Sequence, residues 1–279
     1  MNPNAIVFDN SGTLLKRFKA IKNVKTNEFI HDINSLTIID NLDYGALVIL
    51  QFNTKSLLKI NPNTSIYDFI SKYNIEFTVS YSSQSIDESN ILNIIKNDST
   101  TISDITDGFK HLKKNVPHMD ICNGTALILD CKNQEILYTI TSSGLLFNNV
   151  KFTIQKLKEL GYDIFIASGD RTEAILEITH LLNINPSHGF PTASPEKKRE
   201  IVKSLKNNYD KVVMVGDGQN DYYALLEANI GVLTIAQSPI ESDYLIEASN
   251  YIISDIIELL NLLNWIFYIF IIFIFSYFY

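Results

Sequence analysis

Residues 5–14 read AIVFDNSGTL, in which four apolar residues run directly into an aspartate, Asp9. A short apolar run bounded by turn-forming residues is typical of a buried β-strand, and the letters NSG after Asp9 supply the turn. The segment therefore predicts a strand at residues 5–8 that ends at Asp9.

The second half of the chain repeats this short apolar run between helical stretches. Such alternation is typical of βαβ units and of a parallel sheet. We predict strands at residues 5–8, 163–167, 211–215 and 230–234, and helices at residues 150–160, 172–182, 195–206 and 221–228. The fold class that follows is α/β, a doubly wound parallel sheet with its first strand at the N-terminus.

The length of 279 residues predicts about two domains at roughly 150 residues each. Residues 16–143 differ from their flanks, being rich in Asn and Ser with strand-like runs at 46–52, 77–81, 126–130 and 136–141. We interpret this stretch as an inserted α+β cap domain between two parts of a core, residues 1–15 and 144–261.

The remaining residues, 262–279, read LLNWIFYIFIIFIFSYFY and form a hydrophobic tail in which Asn264 and Ser276 are the clearly polar side chains. Eighteen residues are at the lower limit for spanning a bilayer, and no basic residue flanks the run. Three interpretations stay open: a transmembrane tether that contacts the membrane, a helix buried against a partner, and an extension without function.

Charge and composition exclude several classes of protein. With 23 basic and 31 acidic residues the net charge is −8, which disfavours binding to nucleic acid. The two cysteines, Cys122 and Cys131, are too few for a disulfide framework, and the N-terminal residues lack the features of a signal peptide. We expect a cytoplasmic protein, with tethering by the tail as the alternative.

Two aspartates directly follow predicted strands, Asp9 and the Asp217 of VVMVGDGQND. Because the carboxyl ends of parallel strands meet at one edge of the sheet, we expect these side chains to converge there. Clustered carboxylates repel one another, and a hard divalent cation such as Mg²⁺ keeps them ionised. Asp221, four residues after Asp217, lies within one helical turn and joins this metal site directly or through water.

Other residues of these loops suit a phosphate group. A carboxylate such as Asp9 can attack phosphorus when cationic groups neutralise the incoming oxyanion, and Gly12 and Thr13 allow close approach and hydrogen bonding. Ser168 and Gly169 lie between a predicted strand and a predicted helix, so that their hydroxyl and amide groups can point at a phosphate.

The helix that begins at SPEKKREIVKSL carries lysines near its positive end. Lys197 and Lys198 cost about 0.3–1 kcal/mol each in that position, which suggests that an anion lies nearby. The alternative interpretation is that both lysines are solvated on the surface.

Four segments resemble, in this order, the motifs of the haloacid dehalogenase superfamily of phosphotransferases: DNSGTL at 9–14, IASGD at 166–170, PEKK at 195–198 and GDGQND at 216–221. Within the superfamily they are most similar to the phosphorylation domain of P-type ATPases and to their soluble archaeal relatives. The resemblance covers residues 4–15 and 142–263. It implies a Mg²⁺-dependent phosphohydrolase that acts through an aspartyl phosphate on Asp9.

The resemblance also implies roles for the other motif residues. Ser168 would bind the transferred phosphoryl group, and Lys198, with Lys197 as the alternative, would steady the phosphate and Asp9. Mg²⁺ would be bound by Asp9, Asp217 and the backbone carbonyl of Ser11. Asp221 and Asn220 would order the waters of the metal and the edge of the phosphate.

The chain departs from the family pattern at position 11. Phosphatases of the superfamily carry a second aspartate there as general acid and base, whereas this chain has Ser11. Loss of such a group slows proton transfer by about 10²–10⁴-fold, so we expect a slow, long-lived aspartyl phosphate. The lysine that follows the nucleophile in the pumps is Asn10 here, and only eight residues precede Asp9, so we do not expect an ion pump.

Two functional hypotheses follow. The first is an enzyme that hydrolyses ATP or a small phosphate ester. The alternative is a slow or non-catalytic phosphate-binding regulatory protein that its tail tethers to a membrane or a partner.

Overall fold

The structure, a computed structural model, describes residues 4–30, 35–119, 121–239 and 243–263. These residues divide into two compact units. One unit combines the two ends of the chain, up to Arg17 and from Leu145 onward, and the other is Phe18–Gly144. The role of residues 16–143 as a cap stays a prediction.

Strands and helices alternate along most of the described chain. The strands are β1 (Asn4–Phe8), β2 (Leu15–Asn23), β3 (Phe29–Ile30), β4 (Gly45–Leu50), β5 (Phe77–Ser82), β6 (Ile121–Asp130), β7 (Glu135–Leu146), β8 (Tyr162–Ala167), β9 (Gly189–Phe190), β10 (Val212–Gly216), β11 (Ile230–Thr234) and β12 (Tyr251–Ile253). The helices are α1 (Ser35–Asp40), α2 (Thr54–Leu57), α3 (Ile66–Tyr73), α4 (Glu88–Asn97), α5 (Ile102–Asn115), α6 (Val150–Glu159), α7 (Thr172–Leu181), α8 (Pro195–Leu205), α9 (Tyr222–Glu227) and α10 (Asp243–Glu247).

The first unit contains the predicted parallel sheet. Its six strands lie in the order β12-β11-β10-β1-β8-β9, and every pair is parallel. The strand β1 lies inside the sheet between β10 and β8, and its residues from Ala5 to Phe8 are fully buried. A strand buried on both faces must be apolar throughout, which is why AIVF forms the centre of this sheet. The α/β fold class is thereby confirmed.

The helices of this unit begin and end where their sequences predict. Gly161, which follows α6, has φ +85°, the left-handed conformation expected after a helix end. Ser194 caps α8, since its side chain accepts a hydrogen bond from the amide of Lys197, and Pro195 occupies the first turn. The helix predicted at 221–228 differs: a 3₁₀ turn spans Gln219–Asp221 and α9 begins at Tyr222.

The second unit is built around a six-stranded sheet in the order β3-β2-β7-β6-β4-β5. Its pairs β2–β3, β4–β5, β4–β6 and β6–β7 are antiparallel. Helices α2 to α5 contribute buried residues to the apolar core of this unit, among them Leu57, Phe69, Ile91 and Ile105. Strand β2 differs from the sequence-based prediction, because LKRFKAIKN carries four basic residues and no clean alternation.

Most of the hydrophobic tail, residues 264–279, lies outside the described residues. Residues 258–263 before it are helical. Among the residues that the structure describes, none of the helices combines the length and the apolarity that a bilayer span requires. Cys122 and Cys131 are both buried and form no disulfide, as expected for packed thiols.

Candidate active site

The Asp9 carboxylate lies at the carboxyl end of β1, in a tight turn. The amide of Asp9 donates to the carbonyl of Val215, and the amides of Leu14 and Leu15 donate to the carbonyl of Asn10, each at 2.9 Å. Gly12 has φ +87°, and a Cβ at that position would lie 1.8 Å from Oδ2 of Asp217. Only glycine therefore allows the turn and the second aspartate to approach each other.

The loop after β10 supplies Asp217 and Asp221. Oδ2 of Asp221 accepts hydrogen bonds from the amides of Asp217 at 3.1 Å and Gly218 at 3.3 Å. A Cβ on Gly216 would lie 2.5 Å from the Asp221 side chain, which is buried. The loop therefore wraps around the Asp221 carboxylate, and the two hydrogen bonds to it fix the position of Asp217.

The lysine that reaches this cluster is Lys198. Its ammonium donates to Oδ1 of Asp9 and to Oδ1 of Asp221, each at 2.6 Å, and its side chain is only 3% exposed. Lys197 instead is 60% exposed and pairs with Glu200 on the same helix at 3.1 Å. The tertiary structure therefore decides between the two alternatives that the sequence left open.

The carboxylates and the lysine strongly perturb one another. Burial raises the pKa of Asp9 to about 7, with Lys198 lowering it and Asp221 raising it further. Burial raises the pKa of Asp217 to about 8, and the charges of Asp9 and Asp221 add to this increase. Burial by itself lowers the pKa of Lys198, but the two adjacent carboxylates outweigh it and raise that pKa. When all three carboxylates are ionised, they carry more negative charge than Lys198 neutralises.

This excess fits a divalent cation. Asp9, Asp217 and Asp221 place one carboxylate oxygen each within 4.8 Å of one another. When ionised, the three carboxylates and Lys198 carry a net charge of −2, which one divalent cation balances. Carboxylate oxygens are also the ligands that Mg²⁺ prefers. Both carboxylate oxygens of Asp221 already accept hydrogen bonds. Oδ2 of Asp217 instead lies next to Gly12, in space that a side chain at position 12 would fill.

Ser168 lies on the other side of the Asp9 turn, at the end of β8. It is buried, and its backbone is fixed by bonds to Phe190 at 3.1 Å and Ala193 at 2.8 Å. Its hydroxyl donates to Oδ2 of Asp170 at 3.2 Å. The predicted phosphate-binding serine is therefore positioned by the last residue of the SGD motif.

Asp170 also binds Arg17, which no motif in the sequence marks as a site residue. Nη2 of Arg17 donates to Oδ1 of Asp170 at 2.7 Å, while Asn10 and Ser11 donate to Oδ2 at 2.7 and 3.1 Å. Burial alone would raise the pKa of Asp170, but Arg17 and these donors lower it below its ordinary value. Asp170 stood inside a quoted motif, whereas Arg17 belongs to β2, whose sequence carries no pattern that would have marked it.

The remaining residues predicted for the site differ in burial and in hydrogen bonding. Thr13 is buried, and among the described residues no group hydrogen bonds its Oγ1. Gly169 and Asn220 are exposed. Ser11 lies two residues after Asp9, and its hydroxyl hydrogen bonds with Arg17 and Asp170.

Comparisons with known proteins show which proteins the chain resembles. The chain is 33% identical over 258 residues to a soluble P-type ATPase-like phosphatase of Methanocaldococcus jannaschii, covering 91% of this chain and 92% of that protein. It is 29% identical over 137 residues to a chloroplastic copper-transporting ATPase of Arabidopsis thaliana, covering 49% of this chain but 16% of the transporter.

Among solved structures, the catalytic domain of a CPx-ATPase aligns with a TM-score of 0.48 at 20% identity, covering 92% of this chain and 87% of that domain. The family model of the haloacid dehalogenase-like hydrolases matches residues 3–229. With four ordered motifs, a parallel sheet that brings the motif aspartates together and a family match over most of its length, the chain belongs to the haloacid dehalogenase-like hydrolases.

Proposed function

We propose that the protein is a Mg²⁺-dependent phosphohydrolase that forms an aspartyl phosphate on Asp9 and then hydrolyses it. The observation that carries the proposal is the contact of 2.6 Å between the Lys198 ammonium and Oδ1 of Asp9, beside the Asp217 carboxylate. A carboxylate held in one orientation by a buried cation is a group prepared to act as a nucleophile.

The reaction has two displacements at phosphorus. In the first, an oxygen of Asp9 forms a bond to the substrate phosphorus, and the bond to the leaving group breaks with its electron pair. In the second, a water oxygen bonds to the same phosphorus, the bond between phosphorus and the Asp9 oxygen breaks, and a proton of the water passes to solvent, so that inorganic phosphate leaves and the Asp9 carboxylate is restored. The buried ammonium of Lys198 offsets the charge of Asp9, so that the anionic phosphate can approach it.

Asp9 and Asp217 are the residues expected to hold Mg²⁺, with Asp221 organising the loop. The cation supplies charge neutralisation for the incoming phosphate. Ser168 is the residue expected to bind a phosphoryl oxygen, to which its hydroxyl would donate after turning from Asp170. Asp170 accepts the hydrogen bond from that hydroxyl in this structure.

The substrate is either ATP or a small phosphate ester. The archaeal relative is named a P-type ATPase-like phosphatase, and that name supports both substrate classes. The absence of an aspartate at position 11 supports slow turnover, because Ser11 cannot supply the proton transfer that a carboxylic acid provides.

Acid-quenched labelling tests the proposal. The wild-type chain, incubated with Mg²⁺ and γ-labelled ATP or labelled small phosphate esters, should carry label that Asp9→Asn does not. Asp210→Asn, which changes an exposed aspartate outside the site, is the matched control and should label normally. Mg²⁺-dependent turnover that survives Asp9→Asn would refute the proposal, and wild type without label or turnover on either substrate class would favour the regulatory alternative.

A further inference from the structure

Asp170 is the carboxylate beside the serine that is expected to bind phosphate. Its Oδ2 accepts three hydrogen bonds, from Nδ2 of Asn10 at 2.7 Å, from the Ser11 hydroxyl at 3.1 Å and from the Ser168 hydroxyl at 3.2 Å. Its Oδ1 accepts one from Nη2 of Arg17 at 2.7 Å. Because hydrogen bonds between oxygens usually span roughly 2.5–3.0 Å, the bond from Ser168 is the longest and costs least to break.

The Asp170 carboxylate stays satisfied when that bond breaks. An ionised carboxylate oxygen offers about two lone pairs to donors, so three donors at Oδ2 are one more than it needs. Without the Ser168 hydroxyl, Asn10 and Ser11 still donate to Oδ2, and Arg17 still donates to Oδ1. Ser168 is therefore the donor that Asp170 can release.

The Ser168 hydroxyl has only one proton to donate. In this structure it donates that proton to Oδ2 of Asp170, whereas binding of a phosphoryl oxygen requires the same proton. The two hydrogen bonds therefore exclude each other. Any phosphate that binds to Ser168 must first displace Asp170 from it.

The backbones of both residues are held in place by hydrogen bonds. The Ser168 amide donates to the carbonyl of Phe190 at 3.1 Å, and the Ser168 carbonyl accepts from the amide of Ala193 at 2.8 Å. The Asp170 carbonyl accepts from the amide of Thr192 at 2.9 Å, and the Asp170 amide donates to Oγ of Ser168 at 3.2 Å. Rotation of the hydroxyl about its Cβ–Oγ bond redirects the proton and leaves Oγ bound to that amide.

We propose that Asp170 is a positioning residue that competes with phosphate for the Ser168 hydroxyl and so lowers the affinity of the site for inorganic phosphate, the product. This inference rests on the proposed function, in which Ser168 binds the phosphoryl group. Phosphate takes the hydroxyl from Asp170 when it binds, and Asp170 recovers it when phosphate leaves. The competition weakens phosphate binding by about the contribution of one hydrogen bond, about 3–10-fold.

Calorimetric titration of the full chain with inorganic phosphate and Mg²⁺ measures this competition. Asp170→Asn should bind phosphate about 3–10-fold more tightly than wild type, because a neutral amide accepts the Ser168 proton more weakly than a carboxylate does. Loss of a purely structural contact would weaken binding instead. Asp163→Asn is the matched control, since Asp163 also accepts a hydroxyl, that of Tyr209 at 2.8 Å, and this variant should bind phosphate as wild type does.

A double-mutant cycle with Ser168→Ala shows whether the gain acts through the serine. In wild type, Ser168→Ala removes one hydrogen bond from the free state and one from the phosphate-bound state, so the affinity should change less than about threefold. In the Asp170→Asn background the main loss is the bond to phosphate, and the affinity should fall about 3–10-fold. Equal effects in both backgrounds would mean that Asp170→Asn acts by another route, such as the unpaired charge of Arg17.

The inference is overturned if Asp170→Asn binds phosphate no more tightly than wild type, if Ser168→Ala has equal effects in both backgrounds, or if neither protein binds phosphate. Circular dichroism checks the folding of each variant. If Asp170→Asn does not fold, Ser168→Ala in wild type decides, and a loss of more than about threefold there refutes the competition. Turnover by Asp9→Asn refutes the proposed function, whereas an inactive Asp9→Asn with unchanged phosphate binding by Asp170→Asn refutes the role of Asp170 alone.

Discussion

Replacing Lys198 with methionine should have very different consequences from the same change at Lys197. The Lys198 ammonium lies 2.6 Å from the buried carboxylates of Asp9 and Asp221. Its removal leaves these two carboxylates close to Asp217 without the positive charge that Lys198 supplies. Removal of one partner from a buried ion pair costs about 3–5 kcal/mol. Lys197 forms an exposed pair with Glu200, a kind of contact that contributes about 0–1 kcal/mol.

Urea unfolding at pH 8 without divalent cations measures the effect of each substitution on stability. Lys198→Met should lower the free energy of unfolding by about 3–5 kcal/mol, and Lys197→Met by less than about 1 kcal/mol. The cost at position 198 should shrink at pH 6, because protonation of Asp9 and Asp217 relieves the repulsion.

Turnover with Mg²⁺ measures the effect of each substitution on catalysis. Loss of a group that stabilises the transition-state charge costs roughly 10²–10³ in rate. Lys198→Met should show this loss and Lys197→Met should not. The reasoning is refuted if the two variants lose equal activity, or if Lys198→Met unfolds at pH 8 as wild type does.

Three further perturbations test the site. Gly12→Ala should weaken Mg²⁺ binding and activity severely, measured by Mg²⁺-dependent thermal stabilisation and turnover, because its Cβ would lie 1.8 Å from Oδ2 of Asp217. Without divalent cations, the stability of the wild type measured by denaturant unfolding should fall as pH rises from about 4 through 7–8, since Asp9 and Asp217 bind protons more tightly when folded than when unfolded. Mg²⁺ should reverse that loss at neutral pH. Ser11→Asp should speed dephosphorylation, measured as the loss of label from the chain over time in samples quenched with acid, because it supplies the carboxyl group that can transfer a proton.

The steric expectation at Gly12 has a matched control variant, and each expectation has an outcome that would contradict it. Gly161→Ala shares the positive φ of Gly12 but has no atom within 4 Å of its Cβ, so it should cost only backbone strain and leave Mg²⁺ binding intact. Equal loss of Mg²⁺ binding in both alanine variants would contradict the steric argument. A cation-free stability that rises between pH 5 and 8 would contradict the charge argument. Dephosphorylation that Ser11→Asp leaves unchanged or slows would contradict the proton-transfer argument at position 11.

The sequence was sufficient for the strands that form the centre of the parallel sheet. The apolar runs that became β1, β8, β10 and β11 are buried on both faces, so their composition alone predicts them. Strands β9 and β12 were not predicted, because two or three residues are too short to show a period. The basic strand β2 was not predicted, because its burial depends on neighbours that are remote in sequence.

Asp9 and Asp217 could be brought together from the sequence alone, because any residue that follows a parallel strand emerges at the same edge of the sheet. The choice between Lys197 and Lys198 could not, because consecutive helical residues point about 100° apart and only the docking of α8 decides which one faces Asp9. Arg17 could not be placed either, since its partner Asp170 is 153 residues away and no local rule joins them. The sequence by itself determined which residue types gather at the sheet edge; only the tertiary structure decided which cations complete the site, because their positions depend on long-range packing rather than on local periodicity.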